Sequence, residues 1–543
     1  MATIVNTKLG EHRGKKRVWL EGAKLAREGY EPGQKYDLVL KDSQVVIRVC
    51  DTGKFTVSKR TRNGRTMPII DVSSQELAEL FDGVEMLRVF IRQGTIVISA
   101  HHQHERVVER VERLFTKLEN GEPLSVCSLF HGGGVLDKAI HSGLERSGIN
   151  SSIAVAVEME GKYLDASLRN NTELWDDKSI VIESPIQSVN LSRKPPQVDL
   201  LVGGIPCTAS RAGRSKNKLW GGEIGGHAES HESAGALFFN FLQFVEALNP
   251  AMVVIENVDT YQKTASMEVI RSVLTSLGYN IQERILDGNE FGVLERRKRL
   301  CVVGTSVGID TFDIREVKPL RQKEACIQDI LEPVELDSQR WKSFDYLAEK
   351  EKRDKAAGKG FSRQLLTGEE SYLGTIGKDY AKCRSTEPFI VHPEQPELSR
   401  ILTPLEHCRV KGIPSELIEG ESDTVAHQIL GQSIVFPAFE ALAYELGRSC
   451  WQLVDKTPVL VEVVDTEQPY IGGEDFHWAP ALIERSGMLK LAPAGEALGM
   501  PINVMNNSVY FAVADGPDTS CGNQPAKSIP IQMAGDEIRV MAA

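Results

Sequence analysis

From Leu124 onward, short apolar runs alternate with helix-like stretches, and this alternation constrains the fold of the 543-residue chain more than any other feature. Strand followed by helix, repeated, predicts a mostly parallel sheet with helices on both faces. SVCSLFHGGGVLDKAI (125–140) reads as strand, glycine turn and helix, and IAVAVEMEG (153–161) as a strand running to the acid Glu158. In such sheets ligands collect beyond the carboxyl ends of the strands. The most informative crossing is DLLVGGIPCTASRAGR (199–214). Leu200, Leu201 and Val202 end at Gly203-Gly204, and Pro206-Cys207 enter a loop of small residues, which is how a strand edge presents a nucleophile. Taken alone, a cysteine after a strand is more often a small buried hydrophobe.

The neighbours of Cys207 change that balance. A glycine-rich turn precedes it (SLFHGGG, 128–134). A strand with an acid-amide pair follows (VVIENV, 253–258), then an arginine-rich strand edge (ERRKRLCVVG, 295–304). Further on stand RILTPLEHCRVKGIP (400–414) and GQSIVFPAFEALAYELG (431–447). Six motifs in this order resemble the DNA cytosine-5 methyltransferase family, and they span most of 124–448.

The resemblance implies a Rossmann-like, class I methyltransferase core with S-adenosylmethionine as methyl donor. It has catalytic and cofactor-binding parts over 124–305, a target-recognition module over 306–399 and a return to the core over 400–448. Phe130, Gly132 and Gly134 fit the F-x-G-x-G cofactor loop, Glu158 takes the ribose hydroxyls, and Pro206, Gln432 and Ser433 complete the cofactor site. Cys207 is the nucleophile toward C6 of cytosine, Glu256 acts at N3, and Arg297 and Arg299 hold the base or a phosphate. Alternation along a strand would put both arginines on one side, and Gly431-Gln432-Ser433 would cap a helix closing over the cofactor. The chain departs from the family pattern at Glu183-Ser184-Pro185-Ile186, at Thr208-Ala209-Ser210 and at Glu295, where the family usually has Gln. The implied partner is duplex DNA, with the target base flipped out of the stack, in a bacterial or phage-type enzyme of the restriction-modification kind. A non-catalytic DNA-binding regulator and an RNA cytosine-5 methyltransferase are the rival readings.

Residues 1–120 carry an internal duplication. YDLVLKDSQVVI (36–47) and LRVFIRQGTIVI (87–98) share two short strands around a polar turn, 51 residues apart, each after a helix-like stretch. One hairpin is marginal in water, so the two are expected to pack into one small barrel. WLEGAKLAREGYEPGQKYDLVLKDSQVVI (19–47) is similar to SymE/AbrB-like swapped-hairpin domains, which implies nucleic-acid binding, and the basic KFTVSKRTRNGR (54–65) suits phosphate contacts as well as it suits a solvated loop. Apolar positions at helical spacing over 104–121 predict a helix leading into the catalytic part.

The segment 306–399 has 15 Lys/Arg against 18 Asp/Glu, with a basic cluster at Lys350, Lys352, Arg353, Lys355, Lys359 and Arg363. Residues 450–543 open on the alternating PVLVEVVD and predict a small β-rich accessory region. The net charge of −12 argues against a protein that coats polyanions, while a local basic face remains compatible with DNA. Nine scattered cysteines without a CxxC pair support neither a disulfide framework nor a metal site. No apolar signal core or membrane-length run is present, so the expectation is a cytoplasmic protein without a membrane partner; the oligomeric state is left open.

Overall fold

The computed structural model describes residues 2–206, except 42, 63 and 194, then 235–454, and beyond these only strands between 457 and 541. Cys207 and its loop, 207–234, lie outside the described residues. Two compact units divide the chain, Met1–Glu109 and Arg110–Ala543.

In the first unit the duplication is built twice as edge strand, hairpin, short helix, hairpin. The first copy is β1 (Ala2–Lys8), β2 (Gly10–His12), β3 (Lys15–Glu21), α1 (Ala23–Arg27), β4 (Lys35–Lys41) and β5 (Gln44–Val49). The second is β6 (Phe55–Thr56), β7 (Ser58–Arg62), β8 (Arg65–Val72), α2 (Gln75–Leu80), β9 (Met86–Arg92) and β10 (Thr95–Ala100). Two sheets result, ordered β1-β9-β10-β5-β4-β6 and β2-β3-β8-β7. The copies exchange their edge strands: β1 pairs with β9 of the second copy, and β6 with β4 of the first. Where the copies meet, Leu20 faces Ile70 in one sheet, and in the other Val46 faces Val97, its own counterpart 51 residues on. A pseudo-twofold axis therefore passes through the Val46–Val97 pair. Val18, Leu20, Val45, Ile47, Val89, Ile96 and Ile98 fill the shared core.

Helix α3 (His102–Asn120) follows, close to the bounds its periodicity predicts. The second unit then lays down β11 (Leu124–Leu129), α4 (Val135–Arg146), β12 (Ser151–Glu158), α5 (Gly161–Asn170), β13 (Ile180–Glu183), β14 (Leu200–Gly204), α6 (Leu237–Leu248), β15 (Met252–Val258), α7 (Ala265–Ser276), β16 (Tyr279–Asp287) and β17 (Lys298–Ser306). The sheet order is β13-β12-β11-β14-β15-β17-β16. Pairs from β13 to β15 are parallel, and β17 runs antiparallel to both its neighbours. This is the Rossmann-like α/β class expected from the alternation. Strand order reverses between β11 and β14, which opens a crevice at their carboxyl ends.

Apolar side chains from α3, α4 and later helices cover one face of the sheet, and those of α6 and α7 the other. Asp199, fully buried just before β14, accepts from Ser125 N (2.8 Å), Arg113 Nε (3.0 Å) and Lys117 Nζ (2.6 Å). A buried carboxylate is tolerated only with such compensation, so α3 is pinned to the sheet at the amino end of β14, the edge opposite the crevice.

The segment after β17 holds α8 (Asp345–Ala356), β18 (Gln364–Leu366), β19 (Pro388–Val391) and β20 (Ser399–Arg400), packed on a small core that includes Leu294, Ile327, Leu373, Ile376 and Tyr380. Helices α9 (Pro404–Lys411), α10 (Asp423–Gln432) and α11 (Phe436–Leu453) return to the main sheet. Helices α4 and α11 cross closely, because a Cβ at Gly143 would overlap the Glu440 carbonyl and one at Gly447 would overlap Ser147. Beyond them β21 (Thr457–Val464), β22 (Trp478–Ile483), β23 (Leu489–Leu491), β24 (Ile502–Met505), β25 (Ser508–Phe511), β26 (Lys527–Ala534) and β27 (Glu537–Met541) form one sheet, ordered β23-β22-β21-β27-β26-β25-β24.

Candidate active site

The crevice is bordered first by the glycine turn after β11. Phe130 and Gly132 both sit at φ +59°, and Gly134 at φ +75°. Gly134 has no room for a side chain, since a Cβ would overlap Ser167 Oγ and approach Asn171 Nδ2 to 2.7 Å. His131 fixes the turn from beneath: its Nδ1 lies 2.9 Å from both Ser128 Oγ and Asp137 Oδ2, and its Nε2 2.7 Å from Ser167 Oγ. The turn thus brings the backbone at the N-terminus of α4 to the carboxyl end of β11, a position suited to a ligand that needs close backbone approach.

Glu158 closes the next side at the end of β12. Its Oε2 accepts from Gly132 N (2.7 Å), and its Oε1 from the amides of Met159 and Glu160 (2.9 Å each). An ionised carboxylate has about four acceptor sites, so one lone pair on Oε2 stays available for a hydroxyl. Ser184 N donates to the Glu158 carbonyl, which sets the departing turn 183–186 beside the same strand end.

Glu256 and Arg299 meet at the other side of the crevice. Glu256 ends the apolar run of β15, and Arg299 Nε donates to its Oε1 at 2.9 Å across the antiparallel β17. In the ladder Glu256 is level with Gly204, where a Cβ would stand 3.2 Å from Glu256 Oε2. The glycine lets the carboxylate lie over the end of β14. Asn257 Nδ2 donates to the Ile205 carbonyl (3.0 Å), tying that strand end to β15 immediately before Pro206. Cys207, next in the chain, falls outside the described residues.

Arg297 is placed elsewhere. It precedes β17, so strand alternation does not govern it, and it is only 4% exposed. Its Nη1 donates to the Ile376 carbonyl (3.1 Å) and its Nη2 to that of Gly431 (3.4 Å). Glu295 is fully buried, accepts from Ile376 N at 2.7 Å and faces the ammonium of Lys411 at 3.4 Å. Lys411, equally buried, has its pKa pushed down to about 7 by burial and by the nearby Arg297 charge. Sequence reading missed Lys411; its only signal is a lysine between the apolar Val410 and the Gly412-Ile413-Pro414 turn.

The turn holding Gln432 and Ser433 also differs from expectation. Ser433 Oγ donates to the Leu430 carbonyl (2.6 Å), so it closes the C-terminus of α10. The residue that caps α11 is Val435, and Pro437 opens that helix. Gln432 is exposed and its Nε2 lies 3.7 Å from where a Cβ of Gly132 would be, so the α10 end meets the glycine turn. The positive-φ glycines, the carboxylate and this exposed amide fit a nucleoside-bearing ligand with polar hydroxyls. Among the described residues, no three His, Cys, Asp or Glu side chains gather as a metal site, and no helix is long and apolar enough to cross a membrane.

Comparison with known proteins decides the family. Residues 124–448 match the family described as C-5 cytosine-specific DNA methylase. The chain belongs to that family. It is 30% identical over 270 residues to the Type II methyltransferase M.NlaX of Neisseria lactamica, covering 48% of this chain and 80% of that one. It is 29% identical over 259 residues to the Type II methyltransferase M1.ScrFI of Lactococcus lactis subsp. cremoris, covering 46% of this chain and 62% of the relative. The matched part thus spans less than two thirds of M1.ScrFI. A solved structure, the S. pombe Dnmt2 methyltransferase, is 18% identical and covers 60% of this chain and 98% of that one, with a TM-score of 0.47. Within the C-5 methylase family, the Glu256–Arg299 pair and the glycine turn lie in the matched region, as does the departing Glu295.

Proposed function

We propose that the chain transfers a methyl group to C5 of cytosine in duplex DNA, with S-adenosylmethionine as donor. The observation that carries this reading is the Glu256–Arg299 pair, held over Gly204 two residues before Pro206-Cys207. Gly132, Gly134 and the α4 N-terminus would hold the donor, with Glu158 at its ribose hydroxyls, Gln432 and Ser433 across from the turn, and Phe130 and Pro206 at the crevice wall. When bound, the donor supplies an electrophilic methyl group.

The chain's own groups prepare the base. The Cys207 thiolate forms a bond to C6, which pushes electron density toward C5. Glu256 holds a proton at N3, offsetting the charge that develops there, and Arg299 keeps that carboxyl oriented. Once C5 carries the methyl group, loss of its proton to water would expel the thiolate and restore the ring. C6 is out of reach inside a duplex, so the cytosine leaves the stack. The segment 306–399 would read the flanking sequence, and the basic 54–65 of the N-terminal unit would add phosphate contacts.

The deciding experiment supplies labelled S-adenosylmethionine with duplex DNA or RNA and identifies the product nucleoside by mass. Wild type is expected to make 5-methylcytosine in DNA, and Cys207→Ala none while still binding DNA. Label in RNA alone would turn the reading to an RNA enzyme, and donor binding without transfer would turn it to a regulator.

A further inference from the structure

Two arginines at the start of β17, Arg297 just before it and Arg299 within it, are assigned to one task by sequence, yet only Arg299 reaches Glu256. We propose that Glu295, Lys411 and Arg297 form a buried charge cluster that positions the donor-facing turn 430–433, so that Arg297 serves the donor side of the site and not the cytosine. This inference rests on the methyl-transfer reading, which assigns that turn to the donor.

Both cations converge on the same stretch of backbone. Lys411 Nζ donates to the carbonyls of Leu430 (2.6 Å) and Ser433 (3.2 Å), and Arg297 Nη2 to that of Gly431. These are carbonyls at and just past the end of α10, where the helix leaves acceptors unpaired and the macrodipole is negative. Two buried cations there need a counter-charge, and Glu295 supplies it, 3.4 Å from Lys411 and 3.6 Å from Arg297. On the far side, a Cβ at Gly431 would overlap the Gly377 backbone, so the turn is held from below and from the flank. What emerges from this grip is Gln432, facing Gly132.

The same cluster reaches the recognition segment through one residue. Glu295 Oε1 accepts from Ile376 N, and Arg297 donates to the Ile376 carbonyl, so both polar groups of Ile376 are bound by the cluster. The carboxylate at 295 then has a reason. A glutamine there would accept from Ile376 N equally well but would take away the carboxylate that faces the Lys411 ammonium. Glu295 and Lys411 are therefore a matched pair, and changing both to neutral amides should cost less than changing either.

The test measures donor affinity directly, by calorimetric titration of S-adenosylmethionine and of its demethylated product into the full chain, with DNA affinity measured separately without donor. Arg297→Lys keeps the charge and loses the planar fork. It is expected to raise the donor Kd about fivefold, with DNA affinity changed less than about twofold. Glu295→Gln and Lys411→Gln should each raise the donor Kd about tenfold, and the double variant should return to within about threefold of wild type. Should a single variant fail to fold, Arg297→Lys and the double variant decide. A wild-type donor Kd in Arg297→Lys, a double variant no better than the singles, or DNA affinity falling in step with donor affinity would each overturn the proposal. Wild type that binds no donor overturns the methyl-transfer reading together with this one, whereas variants that match a donor-binding wild type overturn this one alone.

Discussion

At the scale of residues, the placement of a side chain was legible wherever a strand end dictates it. Glu256 follows an apolar run that must be buried, so its side chain has only the crevice to enter, and Arg299 lies within β17, level with Val258 just beyond Glu256. Glu256→Gln keeps the shape and loses the titratable proton. The expected outcome is a fall in kcat of about 10²–10⁴ with donor Kd unchanged, read from single-turnover formation of 5-methylcytosine beside a binding titration. Equal turnover would remove Glu256 from the proton at N3. Arg297 was not legible in the same way, because it stands one residue outside the strand and its partners, the Ile376 and Gly431 carbonyls, are remote in sequence. No local period reports a cation buried against distant carbonyls. Lys411 was missed for the same reason.

Among elements, alternation of apolar runs and helix patterns was enough for a mostly parallel sheet, while the reversed direction of β17 was not, since an apolar run reads alike in both directions. Nor does the sequence announce that Ser433 closes α10, a role set by where Pro437 allows α11 to begin. Helices α9 and α10 are joined by a buried contact, His407 Nδ1 to His427 Nδ1 at 3.0 Å, with Tyr380 edge-on to both rings. Burial holds His407 well below the usual histidine pKa, and pushes His427 down to about 4 despite Asp423 and Glu406 nearby. The unfolded chain therefore takes up more protons than the folded one between about pH 4 and 6.5. Stability should fall as pH drops through that window, by about 3 kcal/mol for His427 alone. Urea midpoints at pH 7 and 4.5 check this, and His427→Gln should flatten the difference.

On the scale of the whole molecule, the duplicated hairpins set residues 1–120 apart from the motif-bearing part, and the first compact unit ends at Glu109, inside the helix expected to lead into that part. The exchange of β1 and β6 between the copies was hidden, because hydrophobic period specifies which face a strand buries but not which copy supplies its neighbour. That exchange has a kinetic consequence. Two halves that complete one another's sheets would, as separate chains, assemble in a bimolecular step, and their stability would rise with concentration. Joined by the short stretch between Val49 and Phe55, they meet at an effective concentration of order millimolar, whatever the dilution. Hydrogen exchange at the Val46 and Val97 amides should accordingly be the same across a hundredfold dilution of the intact chain; slower exchange in the concentrated sample would mean that halves from different molecules trade places.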